Sequence, residues 1–292
     1  MIGMQHVAKI HGALHIGRRT FAVDHVEEVR AFAEGRVGGN EIEALAVAMK
    51  VSGDDGDLAD EAQDTIRQIV RNRQADGVIF SGTRPADARV QLLQEAGLPF
   101  VTYGTTDAVQ PHAYVDADNQ GIIRACMARL IARGHRRIAL LNPPPHLNYG
   151  QTRLATYRAM LTAAGLPWDE DLVAHGRLTP GYGRAQVIAM QALPVPPTAY
   201  IATNESTALG ALSGFAACGL VHGRDAVINA TDDLNVSAYF SPPLTTFYLP
   251  ITRPAELLGR TILRVIAGAP PESLQTLLMP ELMERCEDRL IA

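Results

Sequence analysis

The stretch AYIATNESTALGALSGFAACGL (199–220) changes character in its middle. Its first four residues form an apolar run, which stops just before Asn204 and Glu205. A helical stripe of apolar residues follows, and Gly219 stands where such a helix would end. The pattern predicts a buried strand that leads directly into a helix. The amide and the carboxylate at the junction either cap that helix or hold a ligand.

The totals describe a globular chain of about two domains. It has 292 residues, of which 47% are hydrophobic and 20% are charged, so there is ample material for a core. The net charge of −5 gives the whole chain no electrostatic reason to bind nucleic acid. No apolar run approaches the roughly 18 residues of a membrane span, and the N-terminus lacks the apolar core of a secretory signal. The three cysteines are far apart in sequence, which favours reduced thiols in the cytoplasm and leaves a processed periplasmic protein as the alternative.

Short β-rich runs alternate with helical stripes along most of the chain. Residues 24–40 fit this rhythm worst and predict only a short helix. Strands are predicted at 20–26, 43–51, 75–83, 98–106, 136–142, 172–178, 199–202 and 225–233, helices at 57–73, 85–97, 119–134, 152–165, 183–193, 205–219 and 253–268, and an extended segment at 275–287.

This alternation implies parallel sheets with right-handed crossovers. About eight such units are too many for one small sheet, so the chain forms either two lobes or a closed barrel. No Gly/Ser linker divides the sequence, and two lobes would therefore be joined by several crossing segments.

The predicted strands end in polar residues. In parallel sheets ligands bind beyond the carboxyl ends of the strands, so these residues indicate a binding crevice. They are Ser81 to Thr83, Tyr103 to Thr105, Asn142, Thr203 to Glu205 and Thr231 to Asp233.

Motifs for enzyme chemistry are missing. The sequence contains no GxxxxGK, GxGxxG, GxSxG or HExxH, and its nine histidines show no metal-ligand spacing. The adjacent carboxylates Asp232 and Asp233 are the one hint of hydrolysis, but neighbours in sequence diverge in direction. We therefore expect a protein that is not an enzyme and uses neither a cofactor nor a metal.

Several segments, in order, resemble the effector-binding domain of LacI/GalR (lac-repressor-type) transcriptional regulators. The family pattern runs roughly GHRRIA, RxxGY, aNDxxAxGa, GfDD…ysPPLTT and PeLvxR. The matching segments are RGHRRIALLNPPP (133–145), TRLATYRAMLTAAGLP (152–167), PPTAYIATNESTALGALSGFAACGL (196–220), INATDDLNVSAYFSPPLTTFYLPI (228–251) and LLMPELMERC (277–286).

The resemblance implies the α/β fold of class I periplasmic sugar-binding proteins. Two Rossmann-like lobes with parallel sheets are joined by three crossing segments, and a ligand lies between them. The implied N-terminal lobe comprises residues 20–116 and about 247–273. The C-terminal lobe comprises 117–246 and about 274–292, and residues 1–19 correspond to a hinge or linker remnant.

The resemblance also implies the effector contacts. Arg153 matches the family's effector-contacting arginine, Asn204 the asparagine of ND, and Asp232 the first aspartate of DD. An arginine fork, an amide and a carboxylate suit the hydroxyls of a polyol. Further contacts are predicted at Asp116, Tyr103 and Tyr149.

Other interpretations of these residues stay open. Asn204 is also a natural helix cap, Asp232 a turn residue, and Arg153 a solvated helix residue. Tyr182 could stack on a sugar, whereas Trp168 more naturally covers the surface beside a turn. The sequence departs from the family at Glu205, which stands where the family has aspartate.

The leading hypothesis is the ligand-sensing core of a bacterial transcriptional regulator, with a sugar or sugar derivative as its effector. Operator DNA would be bound only through a helix-turn-helix head, which we expect this chain to lack. We also expect a cytoplasmic homodimer with Tyr239 and Phe240 at its interface. The alternative is a solute-binding protein of a sugar uptake transporter, and a hydrolytic enzyme is a weaker third reading.

Overall fold

The computed structural model describes the backbone of residues 27–37, 40–50 and 56–285, and the side chains of residues 62–285. The chain divides into two compact units and passes between them three times, after Asp116, Pro250 and Leu278. Among the described residues, each unit contains one six-stranded sheet. Two separate sheets exclude the closed barrel that the sequence left open.

The strands are β1 (Glu27–Val37), β2 (Asn40–Lys50), β3 (Gly77–Ser81), β4 (Phe100–Tyr103), β5 (Ala113–Ala117), β6 (Ile138–Asn142), β7 (Val173–His175), β8 (Ala199–Ala202), β9 (Val227–Asp232), β10 (Thr245–Tyr248), β11 (Gln275–Leu278) and β12 (Glu281–Met283). The helices are α1 (Gly56–Asn72), α2 (Ala88–Ala96), α3 (Asn119–Ala132), α4 (Asn148–Ala163), α5 (Pro180–Gln191), α6 (Glu205–Ala217) and α7 (Thr252–Ile266).

The first unit comprises the described residues up to Asp116 together with Ile251–Leu278. Its strand order is β1-β2-β3-β4-β5-β11, in which β2 to β5 run parallel and β1 pairs antiparallel with β2. Helices α1 and α2 cover β3 and β4 through one apolar cluster. Its buried members are Ala62, Ile66, Ile69, Val78, Phe80, Val90, Leu93 and Phe100.

The second unit comprises Ala117–Pro250 and the described residues from Met279 onward. Its strand order is β12-β10-β9-β8-β6-β7, parallel throughout the middle, with β12 antiparallel to β10. Along β6, Leu140 packs on the cluster under α3 and α4, whereas Leu141 packs on the cluster under α5 and α6. Because both faces are covered, the strands read as continuous apolar runs.

Helices α5 and α6 approach each other closely through glycine. A Cβ at Gly210 would overlap the carbonyl oxygen of Pro180, and one at Gly183 would overlap that of Thr207. The small residues that the sequence offers in these helices therefore have a packing reason. Their contact fixes the amino end of α6, where the predicted site residue Asn204 lies.

The short helix predicted over 24–40 is wrong. Residues 27–37 form β1, which pairs along its whole length with β2 from Glu27–Lys50 to Val37–Asn40. The residues Gly38 and Gly39 between them are a strong hairpin signal. An eleven-residue ladder outweighs the helix propensity of the Glu, Ala and Arg residues in the segment. The strand predicted at 20–26 lies outside the described residues.

The predicted helices at 57–73, 119–134 and 253–268 correspond to α1, α3 and α7. Across the residues that the structure describes, no helix is both long and apolar enough to cross a bilayer.

Candidate functional site

Polar side chains collect at the carboxyl ends of three neighbouring strands in the second unit. The order β9-β8-β6 places the end of β8 between the other two. Asn142 ends β6, Thr203 and Asn204 follow β8, and Asp232 ends β9. The strand-end face formed by these residues is the position at which parallel sheets bind ligands.

Arg153 connects three elements at this face. It lies one and a half turns into α4 and is 5% exposed. Its Nε–H donates to Oδ1 of Asn119 over 2.7 Å, and its Nη1–H donates to the carbonyl oxygen of Thr203 over 3.1 Å. The guanidinium carbon also lies 5.5 Å from the centre of the Tyr149 ring. Arg153 is therefore not the solvated helix residue that its type alone would suggest.

Asn119 and Thr203 are hydrogen-bond partners of Arg153, and the sequence predicts Thr203 only as a polar strand end and does not predict Asn119. Asn119 begins α3, and its Nδ2–H donates to the carbonyl of Ala117 over 3.0 Å, which orients its oxygen for Arg153. The hydroxyl of Thr203 donates to Leu141 O over 2.9 Å, and its carbonyl accepts from the hydroxyl of Thr231 over 2.6 Å. A polar residue directly after a strand was the available signal for Thr203, but nothing local marks Asn119 as a partner of Arg153.

Asn204 is the N-cap of α6. Its extended backbone (φ −157°) is that of a capping residue, and its Oδ1 accepts the backbone N–H of Thr207 over 2.8 Å. Its Nδ2–H donates to the carbonyl of Leu178 over 3.3 Å. Capping is thus established, and the half-buried side chain still lies beside Arg153's acceptor, Thr203.

Asp232 organises the loop that follows β9. One carboxylate oxygen accepts the N–H of Leu234 over 3.1 Å and the other accepts the N–H of Ser237 over 3.0 Å. The side chain is 2% exposed. A carboxylate offers about four acceptor positions, so two bonds leave acceptor capacity for hydroxyl donors. The turn interpretation and the ligand interpretation are compatible.

Three aromatic residues are candidates for stacking on a sugar ring, and they lie in different places. Tyr149 lies on α4 beside Arg153. Tyr182 donates its hydroxyl to the carbonyl of Asn142 over 3.1 Å, and burial raises the pKa of that hydroxyl well above its ordinary value. Trp168 lies beyond the opposite end of α4, where Arg158 covers its ring at 4.2 Å and Tyr157 contacts its edge. Trp168 is therefore a surface cover, and Tyr149 and Tyr182 are near the strand ends.

The predicted contacts Tyr103 and Asp116 belong to the first unit. Tyr103 ends β4, and the carboxylate of Asp116, near the end of β5, accepts the N–H of Thr105 over 3.2 Å. Both lie at strand ends of the kind that bind ligands, and their role as effector contacts stays a prediction.

The two residues predicted for a dimer interface differ in exposure. Tyr239 is 87% exposed, whereas Phe240 is only partly exposed and packs against the core beneath α5 and α6. The exposed apolar surface of this pair therefore consists mainly of the Tyr239 ring, because the side chain of Phe240 points toward the core.

The comparison with known proteins matches residues 127–286, more than half of the chain, to the periplasmic binding protein-like domain. The transcriptional regulator CelR of Thermobifida fusca is 34% identical over 219 residues, which are 73% of this chain and 63% of CelR. The regulator AglR of Rhizobium meliloti is 32% identical over 64% of this chain and 54% of AglR. The chain thus spans less than two thirds of the length of these relatives.

Solved structures agree with this match. A LacI-family regulatory protein from Chloroflexus aggregans superimposes with a TM-score of 0.71 at 31% identity, over 80% of this chain and 83% of that one. A complex of the regulator CelR with cellobiose superimposes with a TM-score of 0.70 at 30% identity, over 80% of this chain and 71% of that one. The relatives named here are regulators of transcription, not enzymes.

Proposed function

The chain belongs to the periplasmic-binding-protein-like family and has the effector-binding fold of LacI-family transcriptional regulators, and on that premise we propose that it senses a small sugar or sugar derivative. The effector binds at the strand-end face of the second unit. Its binding changes the affinity of the complete regulator for operator DNA, as a coupling free energy between two sites.

The arrangement around Arg153 is the observation that carries this proposal. A buried guanidinium anchored on Asn119 and on the Thr203 carbonyl is fixed in direction before any ligand arrives. Preorganised donors of this kind bind hydroxyl and ring oxygens without an ordering cost. A hydroxyl group that accepts from Arg153 also has a hydrogen to donate, and the neighbouring Asp232 carboxylate can accept it.

A neutral polyol suits the face better than an acid or an apolar ligand. Arg153 donates hydrogen bonds, Asp232 accepts them, and Asn204 can do both, so adjacent hydroxyls satisfy all three. Tyr149 offers an aromatic ring beside them. The cellobiose complex of CelR supports a carbohydrate as the first compound to test.

The remaining parts of the proposal concern partners. The relatives are helix-turn-helix regulators, which supports control of operator DNA by this domain in the cytoplasm. The ring of Tyr239 is 87% exposed and is therefore accessible to a second copy of the chain. We propose a homodimer on these grounds.

A thermal-shift screen with mono- and disaccharides, cellobiose among them, tests the function. We expect at least one sugar to raise the melting temperature of the wild type, since a ligand at about 100 times its Kd stabilises by about 2.7 kcal/mol. Asp232→Asn should lose that shift. The matched control Asp225→Asn alters an aspartate that binds the Val221 N–H in a surface turn, and it should keep the shift.

Two results would contradict the proposal. One is a panel in which no sugar stabilises the wild type. The other is equal stabilisation of the wild type and Asp232→Asn, which would remove Asp232 from the site.

A further inference from the structure

The segment that ends in Arg285 lies against the strand next to β9. Strand β12 pairs antiparallel with β10, with Leu282 opposite Phe247 and Met283 opposite Thr246. This register brings Arg285, two residues later, to the beginning of β10. The backbone N–H of Arg285 donates to Oγ1 of Thr245 over 3.4 Å. Arg285, the last residue of the PELMER motif (280–285), therefore lies beside the first residues of β10, at the edge of the sheet in the second unit.

The guanidinium of Arg285 connects two separate segments of the chain. Its Nη1 donates to the carbonyl of Leu244 over 3.3 Å and to Oγ1 of Thr246 over 2.7 Å. Its Nη2 donates a short hydrogen bond to Oδ1 of Asn235. One fork thus joins the start of β10 to the loop that follows β9.

Asn235 belongs to the loop that Asp232 organises. It adopts the left-handed conformation (φ 59°), which few residue types other than glycine tolerate as well as asparagine does. Its neighbour Leu234 donates its N–H to one oxygen of Asp232, and Ser237 donates to the other. The loop 233–237 is therefore held by two side chains: Asp232 accepts two of its backbone N–H groups, and Arg285 donates to the side chain of Asn235.

We propose that Arg285 is a positioning residue for effector binding, acting through Asn235 on the Asp232 loop. The inference rests on the proposed function insofar as it predicts an effect on sugar affinity. Arg285 does not contact the effector. It fixes the loop whose two N–H groups orient the Asp232 carboxylate. The C-terminal segment is thus linked to the ligand site through the Asn235 side chain and the backbone of the loop.

Glu284 provides a matched control in the same segment. Its carboxylate pairs with Arg129 and, at 3.6 Å, with Arg133, both at the end of α3. Glu284 thus ties the segment to a different element and makes none of the contacts that carry this inference. If docking of the segment alone were sufficient, loss of either side chain would affect the loop equally.

Hydrogen exchange of the Leu234 and Ser237 amides tests the link without any ligand. We expect Arg285→Ala and Asn235→Gly each to speed their exchange about tenfold, whereas Glu284→Gln leaves it unchanged. Asn235→Gly removes the acceptor but suits the positive φ, so it remains informative if Arg285→Ala folds poorly. In the double variant, the two amides should exchange no faster than in the faster single variant, because each substitution removes the same Arg285–Asn235 hydrogen bond.

Calorimetric titration with cellobiose, or with the sugar that gives the largest thermal shift, supplies the second arm. Arg285→Ala should weaken binding about tenfold, Arg285→Lys should restore part of that loss, and Glu284→Gln should bind as the wild type does. Unchanged exchange in both Arg285→Ala and Asn235→Gly, or equal effects of Glu284→Gln, would overturn the proposal. Failure of the wild type to bind any sugar would instead refute the proposed function, while the exchange arm still decides the role of Arg285.

Discussion

Two buried arginines, one in each unit, differ in how far along the chain their hydrogen-bond partners lie. Arg89 donates through Nε and Nη2 to the two carboxylate oxygens of Asp87, over 2.9 and 2.7 Å. It also donates to the carbonyls of Ser81 and Gly82, so all of these partners lie within eight residues of it. Arg153 instead donates to Asn119 and Thr203, which are 34 and 50 residues away.

Arg89 therefore forms a local clamp within its own turn, whereas Arg153 joins elements that are distant in sequence. Arg89 closes the turn between β3 and α2 on itself, over the ring of Phe80. Arg153 aligns the beginnings of α3 and α6 with α4, at the face where Asp232 and Asn204 lie. A residue that unites several strand ends is a better candidate for binding a ligand than one that satisfies its own turn.

The largest effect on stability is expected for Arg89→Ala. The change leaves the carboxylate of Asp87 buried without its cation, which costs about 3–5 kcal/mol of unfolding free energy. Urea denaturation measures it. Asp87→Ala combined with Arg89→Ala should be less damaging than Arg89→Ala alone, and an additive loss would break the interpretation as a closed pair.

Arg153→Ala should damage binding more than stability. We expect about 2 kcal/mol of destabilisation, because the hydrogen bonds of Arg153 to Asn119 Oδ1 and to the Thr203 carbonyl are lost in a buried place. Sugar affinity should fall at least about a hundredfold, since several hydrogen bonds are lost together. Isothermal titration checks this, and retention of wild-type affinity would reduce Arg153 to a structural residue like Arg89.

Asn204→Ser separates capping from ligand binding. Serine caps a helix about as well as asparagine, so the unfolding free energy should change by less than about 0.5 kcal/mol. The lost amide donor should weaken sugar binding about tenfold. A parallel measurement of Asn204→Ala, which removes the cap as well, should add about 1 kcal/mol of destabilisation. Full affinity in Asn204→Ser would leave only the capping role.

Acid should weaken the Arg89 clamp. Burial alone would raise the pKa of Asp87, but the hydrogen bonds and charge of Arg89, together with the N–H groups of Arg84 and Arg89, hold it below the ordinary 3.8. The pair therefore stabilises the fold above that ordinary value, and its contribution is lost as pH falls through the lower pKa of the folded state. The stability difference between wild type and Asp87→Asn should be constant near neutral pH and shrink in acid. A difference that grows in acid would reverse the assigned sign.

The smallest expected effect is a change in the accessibility of the Cys126 thiol when Arg153 is replaced. Burial raises the pKa of this thiol to about 12, so the wild type should resist alkylation. Arg153→Ala loosens the contact between α3 and α4 and should increase labelling of the Cys126 peptide in mass spectrometry. Arg89→Ala, in the other unit, should not, and equal labelling of both variants would indicate global loosening.

Sequence patterns predicted much of this architecture and the polar strand ends of the candidate site. Periodicity marked α1, α3 and α7, and the polar end of β8 marked Asn204 as a junction residue. Local sequence does not predict strand β1, because its ladder with β2 is a tertiary interaction that outweighs local propensity. The contact of Arg153 with Asn119 depends on how α3 and α4 pack, and no local pattern specifies it.

A crystal structure of the protein with the sugar that stabilises it most is the most direct test of the central claim. The account predicts hydroxyl or ring oxygens of the sugar within about 3 Å of the Arg153 guanidinium and of the Asp232 carboxylate. A sugar bound away from the strand-end face of the second unit, with those two side chains contacting only protein, would contradict it.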